Sequence, residues 1–309
     1  MTPRPAAYFA MATLLAALSL PLEARQLAGL PGLPALPPPI EFGAGDVLVS
    51  LEPGPVAWFG PTGTLRRMLI PTVTGLGEGM AFDAAWNLYV TRWCTDPNCT
   101  STGNAVEKYD TLGLSQGAVG SNFNCSPHTI DFDQAGAVYI GQAGCNRTLL
   151  KFAPGGTAPL IEYTVALENQ GIFWMDLAPD NCTMFYTSVG PNVKRFDVCS
   201  NTQLPDFNAG PLPGPFTHDL RVLPDGGVIV ANSNVVTRLS PEGAVIQTYQ
   251  VQGENTLWAG LDLAGDGTFW AGNYFTSNIY RFSLDSGAVI AGFNTGTPPN
   301  SVVGIRVKQ

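Results

Sequence analysis

The 309-residue chain holds only two histidines, His128 and His218. A neutral imidazole can bind a divalent metal and titrates near neutrality, so two of them beside a carboxylate could hold a cation or move a proton. The segments CSPHTIDFD and FTHDLRVLPD put each histidine three residues before a charged residue in an apolar run, and GLGEGMAFD sets Glu78 at the same place. Glu78, His128 and His218 are therefore the candidate metal-ligating set, for calcium, zinc or manganese. The plainer alternative is a wet rim presenting three polar residues. Three residues further along, the aligned positions are Ala81, Asp131, Asp176, Arg221, Asp262 and Arg306. From Asp176 onward the signs alternate, as mutually paired charges in a narrow space require, because an unpaired buried charge costs several kcal/mol. Asp131 and Asp176 are neighbours with no cation between them. They are the candidate catalytic acid or base, or a pair able to hold a cation. No phosphate-binding Gly-Lys-Ser/Thr loop, Gly-x-Ser-x-Gly elbow or His-Glu-x-x-His helix occurs.

The elements that position these residues are repeated. VAWFGPTG, VEKYDTLG, LLKFAPGG, VKRFDVCS, VTRLSPEG and IYRFSLDSG share one wording, centred on Phe59, Tyr109, Phe152, Phe196, Leu239 and Phe282 at steps of 43 to 50 residues. A fixed period in that range marks a repeat architecture. A second phrase, an apolar strand end, a polar turn and a β-rich strand, tracks it through FDAAWNLYV, FDQAGAVYI, LAPDNCTMFYT, LPDGGVIV and LAGDGTFWA. Five units are complete. The N-terminal side supplies only outer strands of a sixth, and VVGIRVKQ at the end supplies only an inner one. The expected fold is all-β, a six-bladed β-propeller closed by pairing N-terminal outer strands with a C-terminal inner strand, which removes the open sheet edge. Function in such a ring collects at a mouth of the central channel. Trp93, Trp174, Trp258 and Tyr274 flank inner strands, where they pack between blades or wall a pocket.

Composition narrows the function classes. Charged residues are 13% and the net charge is -9, which disfavours nucleic acid, whose binders need clustered cations. Residues 1–24 read as a secretory signal peptide, with a basic Arg4, a short apolar run and a small residue at Ala24, and leave no transmembrane segment in the mature chain. Residues 25–45 read as a Pro-rich linker and 46–309 as the propeller, expected to be a monomer in a secreted, periplasmic or extracellular setting. Six cysteines suit an oxidising compartment. A hairpin turning at Gly190 and Pro191 sets Cys182 against Cys199, and one turning at Ala135 sets Cys125 against Cys145. Cys94 and Cys99 remain as a third pair. Asn98, Asn146 and Asn181 each begin an Asn-x-Thr sequon.

Segments such as WMDLAPDNCTMFYTSVGPNVKRFDVC and LRVLPDGGVIVANSNVVTRLSPEG resemble the bacterial secreted propellers of the NHL-repeat group and the neighbouring senescence-marker/gluconolactonase superfamily. That resemblance spans about Asp46 to Gln309 and implies a six-bladed ring. Gluconolactonase-like members hold a divalent metal through a Glu, two Asn and an Asp. Glu78 matches the Glu, while His128, Phe173 and His218 stand at the other three places. Peptidyl-hydroxyglycine lyases of similar architecture use three histidines for zinc, against His128, His218 and Glu78 here, and virginiamycin lyase-like propellers share the fold. Two functions follow: a binding or interaction propeller that takes a small molecule or an extracellular protein at the channel mouth, or a metal-dependent lactonase or lyase at the same place.

Overall fold

The computed structural model describes residues 39–309 except 53, 73–74, 94–103, 121–122, 124–125, 145–147 and 255–256. Residues 1–24, read as a signal peptide, and most of residues 25–45, read as a linker, lie outside the described residues, as do Cys94, Cys99, Cys125 and Cys145. Blade 1 begins with β1 (Val47–Leu51), β2 (Val56–Phe59) and β3 (Leu65–Leu69). Blade 2 is β4 (Leu76–Phe82), β5 (Leu88–Trp93), β6 (Ala105–Tyr109) and β7 (Ser115–Val119), and blade 3 is β8 (Ser126–Phe132), β9 (Val138–Ala143), β10 (Thr148–Phe152) and β11 (Ile161–Thr164). Blade 4 is β12 (Trp174–Leu177), β13 (Thr183–Thr187), β14 (Lys194–Asp197) and β15 (Thr202–Leu204). Blade 5 is β16 (Thr217–Val222), β17 (Val228–Asn232), β18 (Val235–Leu239) and β19 (Val245–Tyr249). Blade 6 is β20 (Trp258–Leu263), β21 (Thr268–Asn273), β22 (Asn278–Ser283) and β23 (Val289–Asn294), after which β24 (Val302–Val307) returns to complete blade 1 in the order β24-β1-β2-β3. Six four-stranded antiparallel sheets thus close a β-propeller through the expected N- and C-terminal pairing, in register from Val47 opposite Val307.

Local chemistry explains each blade. The first hairpin turns on an aspartate whose carboxylate accepts backbone N–H groups two residues on: Asp83 from Ala85 at 2.9 Å, Asp133 from Ala135 at 3.0 Å, Asp180 from Cys182 at 2.9 Å and Asp225 from Gly227 at 2.9 Å. The recurrent basic residue of the third strand reaches an aspartate of the first hairpin in four blades, as in Lys108–Asp83 at 3.8 Å and Arg238–Asp225 at 3.2 Å, with Lys151–Asp133 and Arg281–Asp266 repeating it. Lys108 and Lys151 also lie over the Tyr89 and Tyr139 rings. The period's central residues, Phe59, Tyr109, Phe152, Phe196, Leu239 and Phe282, are all at most 2% exposed and form the apolar layers between blades. Phe42, within the stretch read as linker, packs on Trp58 with centroids 4.6 Å apart, so the ring's packing begins before Asp46.

Cys182 and Cys199 form a disulfide with Cα atoms 5.2 Å apart. The hairpin centres on Gly190, pairing Thr183 with Asp197, so the bridge spans a slightly diagonal pair. The other two expected bridges fall on residues outside those described.

Candidate functional site at the channel mouth

The innermost strands β24, β4, β8, β12, β16 and β20 contact one another in sequence around the ring. In a regular strand, residues three apart point to opposite faces. Four inner strands avoid this with a register shift, between Gly77 and Met80, Pro127 and Thr129, Thr217 and Leu220, and Trp258 and Gly260. Each shift falls at the mouth register itself, where such bulges re-aim side chains.

Glu78 and His128 come together there, with His128 Nε2 3.7 Å from Glu78 Oε2 and both residues buried. His128 Nδ1 donates to the Phe173 carbonyl at 2.7 Å, which leaves Nε2 as the bare nitrogen of a neutral imidazole. That Nε2 is buried with no hydrogen-bond partner. Burial and the nearby Glu52 push the Glu78 carboxyl well above the usual carboxylate range. Burial lowers His128 to about 3, against the opposing pull of the Phe173 carbonyl, and lowers the half-buried His218 to about 4. At neutral pH both imidazoles are uncharged. His218 does not join the pair: the Phe173 ring lies 3.9 Å from the His128 ring and 5.7 Å from that of His218, between the two. Among the described residues, the only trio of His, Cys, Asp or Glu whose ligand atoms all lie within 4.8 Å of one another is Cys182, Asp197 and Cys199, two of which are the disulfide. As arranged, Glu78, His128 and His218 do not fit a three-ligand metal site.

Trp174 closes the space behind this mouth. A Cβ on Gly304 would lie 2.8 Å from Trp174 Cη2, so the buried indole extends from blade 4 to the backbone of blade 1, the opposite blade of the ring. Only a glycine at 304 admits it. The spacing and types of Trp174 and Gly304 gave no sign that they meet.

The charged register follows two residues after Trp174 on β12, at Asp176, and two after Gly304 on β24, at Arg306. Arg221 Nε donates to Asp262 Oδ1 at 2.6 Å and Arg306 Nη1 approaches the same oxygen at 3.6 Å, so the expected alternation is realised around Asp262. Sequence reading missed Asp219, fully buried, whose Oδ1 accepts from Arg221 Nη1 at 2.5 Å. The i, i+2 spacing of Asp219 and Arg221 on β16 was the available signal. Carboxylates of this ring also clasp the next blade: Asp131 Oδ2 accepts the Leu177 N–H at 2.8 Å, Asp176 Oδ2 that of Val222 at 2.7 Å, and Asp262 Oδ2 that of Val307 at 2.7 Å. Burial and the charge of Asp131 raise Asp176 to about 7, and burial raises Asp131 despite Arg306 and its hydrogen bonds. Asp262 and Arg306 face a cavity of about 330 Å3 at the other mouth, also lined by Phe82, Trp86 and Phe132.

No model of a known protein family matches the chain, and no curated protein does. Solved structures do. A chain of a nidogen/laminin complex superposes with TM-score 0.69 at 11% identity, over 85% of this chain and 98% of that one. Virginiamycin B lyase from Staphylococcus aureus, a catalytically inactive variant with quinupristin, gives 0.57 at 12% over 83% and 87%, and the WD40 propeller domain of Doa1 gives 0.57 at 13% over 84% and 81%. At these identities the likeness is one of fold: the chain is a six-bladed β-propeller.

Proposed function

We propose that this is an exported binding propeller whose site is the mouth built on Glu78, His128, Phe173 and His218. The observation that carries the reading is His128 Nε2, a bare acceptor buried without a partner beside Glu78, whose carboxyl burial pushes upward. Such an atom costs free energy unless a ligand supplies a donor. With Trp174 behind it, the mouth suits an uncharged small molecule, or a side chain of an extracellular protein, that stacks on Phe173 and donates a hydrogen bond. The Cys182–Cys199 bridge is compatible with an oxidising compartment, and the apolar N-terminal segment supplies the export signal. The test is a thermal-shift screen of neutral aromatic and sugar-like compounds on wild type, Phe173→Ala and His218→Ala. A compound that stabilises wild type and neither variant supports the mouth; one that stabilises all three equally removes it.

The second reading, a metal-dependent lactonase or lyase, is favoured by the Glu78–His128 approach alone. It would require Phe173 to leave the gap before His218. Asp131 and Asp176, the proton acceptors it would use, stand three residues further along the chain than His128 and Phe173. Zinc, calcium or manganese content after loading, compared between wild type and His128→Ala/His218→Ala, checks it: equal metal-free preparations end this reading.

A further inference from the structure

The outer strands carry a repeated plug. Opposite the third strand of its own blade, each presents two residues toward the next blade, and the inner of these is large: Tyr163 opposite Leu149, Tyr249 opposite Val236 and Phe293 opposite Ile279, with Phe207, just past β15, in the same place through its N–H to the Val193 carbonyl. Tyr163, Tyr249 and Phe293 meet the central aromatic of the following blade, with ring centroids 5.6 Å from Phe196, 5.9 Å from Phe282 and 4.7 Å from Phe59. Blade 1 has Leu69 opposite Val56, backed by Phe42. In blade 2 the position is Val119, opposite Val106, and its partner position is Gly117, opposite Lys108. The corresponding partners elsewhere are Ile161, Leu204, Gln247, Ala291 and Arg67. Blade 2 therefore has the smallest pair of the six. Phe123 reaches Phe152 from beyond Gly120, at 5.7 Å, yet a cavity of about 660 Å3 remains between blades 2 and 3. Its walls include Tyr89, Val106, Val119, Ile140 and Phe152, with Lys108 at its polar edge.

That volume lies within the range of small-molecule sites, and the cleft is open to solvent on one side, which gives a ligand its entry. The other interfaces show which chemistry fits. Tyr163 OH donates to the Val198 carbonyl at 3.1 Å and Tyr249 OH to that of Leu284 at 2.6 Å, each carbonyl two residues beyond the central aromatic of the next blade. In blade 3 the equivalent carbonyl belongs to Pro154, next to Gly155 in the cavity wall. We infer that the cleft between blades 2 and 3 is a binding site for a planar phenolic compound of two or three rings, its ring in the place of the missing plug and its hydroxyl donating to the Pro154 carbonyl. This site is separate from the channel mouth and does not depend on it.

The probe is 2-naphthol, followed by its fluorescence on titration with the folded protein, with 2-methoxynaphthalene as the same ring lacking the donor. Wild type should bind 2-naphthol saturably at one site and the methoxy compound about tenfold more weakly, the size of one buried hydrogen bond. Val119→Tyr should supply the plug itself, abolish binding and raise the melting temperature. Should that variant not fold, Val119→Leu carries the test, with several-fold weaker binding expected. No saturable binding by wild type, or equal affinity of wild type and the folded variant, overturns the site; equal affinity for the two naphthalenes overturns the phenolic assignment.

Discussion

Both imidazoles of this chain are kept neutral by burial, and their effect on stability has a definite sign. His218 titrates at about 4 in the folded protein and near 6.5 when unfolded, so between these values the unfolded chain binds the extra proton. Its contribution is full above about pH 6.5 and is lost as pH falls toward 4. Urea midpoints of wild type and His218→Gln should therefore converge or cross on acidification, with wild type losing more. Asp176 behaves oppositely. Its folded-state value of about 7 exceeds the unfolded carboxyl's, so stability present below about pH 4 is lost as pH rises toward 7. Asp176→Asn, which can still accept the Val222 N–H, should gain on wild type over that interval. An unchanged difference between pH 4 and 7 would refute the assignment of a buried proton to this pair.

At the scale of the element, blade 2 holds a buried ionic network that the repeats did not announce. Arg92 Nη2 donates to Glu107 Oε2 at 2.9 Å and to Tyr109 OH at 2.7 Å, and the guanidinium also reaches the Gly54 carbonyl of blade 1. Glu107 Oε1 accepts from Thr72 N at 2.7 Å and Ser115 Oγ at 2.7 Å, and these bonds outweigh burial to hold the carboxyl below its usual range. Glu107→Gln keeps the shape but strips the charge from beside a fully buried arginine, and should cost about 3 to 5 kcal/mol by denaturant titration. Adding Arg92→Met to it should recover much of that loss. In blade 4 the Cys182–Cys199 bridge ties the turn before β13 to the one after β14. Cys182→Ser/Cys199→Ser should lower stability by at most about 3 kcal/mol, the loop-closure contribution for a loop of this length.

At the scale of the whole molecule, closure depends on β24, whose backbone pairs with β1 and whose Val307 N–H and Arg306 serve Asp262. Removing residues 300–309 would expose the β1 edge and leave Asp262 short of partners. The truncated chain should aggregate or lose cooperative unfolding, and a synthetic Ser301–Gln309 peptide added during refolding should restore the melting transition. A monomeric, cooperatively folding truncation would contradict this account of closure.

The ring was legible in the sequence because its signals are local. Alternation, the Asp-centred turns and the period through Phe59, Tyr109 and their equivalents depend on neighbours a few residues away, and they led to the blade count, the shared first blade and the Cys182–Cys199 pairing. The same period brought His128 and Glu78 to one register, where they meet. What it could not show is how a side chain fills a space shared by distant blades. Phe173 stands between the histidines and Trp174 crosses to Gly304 because bulges and packing across the ring set their directions. The cleft beside Val119 likewise exists only once blade 3 is placed against blade 2. Local dihedral preferences determined the architecture; contacts between residues far apart in the chain decided which of its polar groups converge.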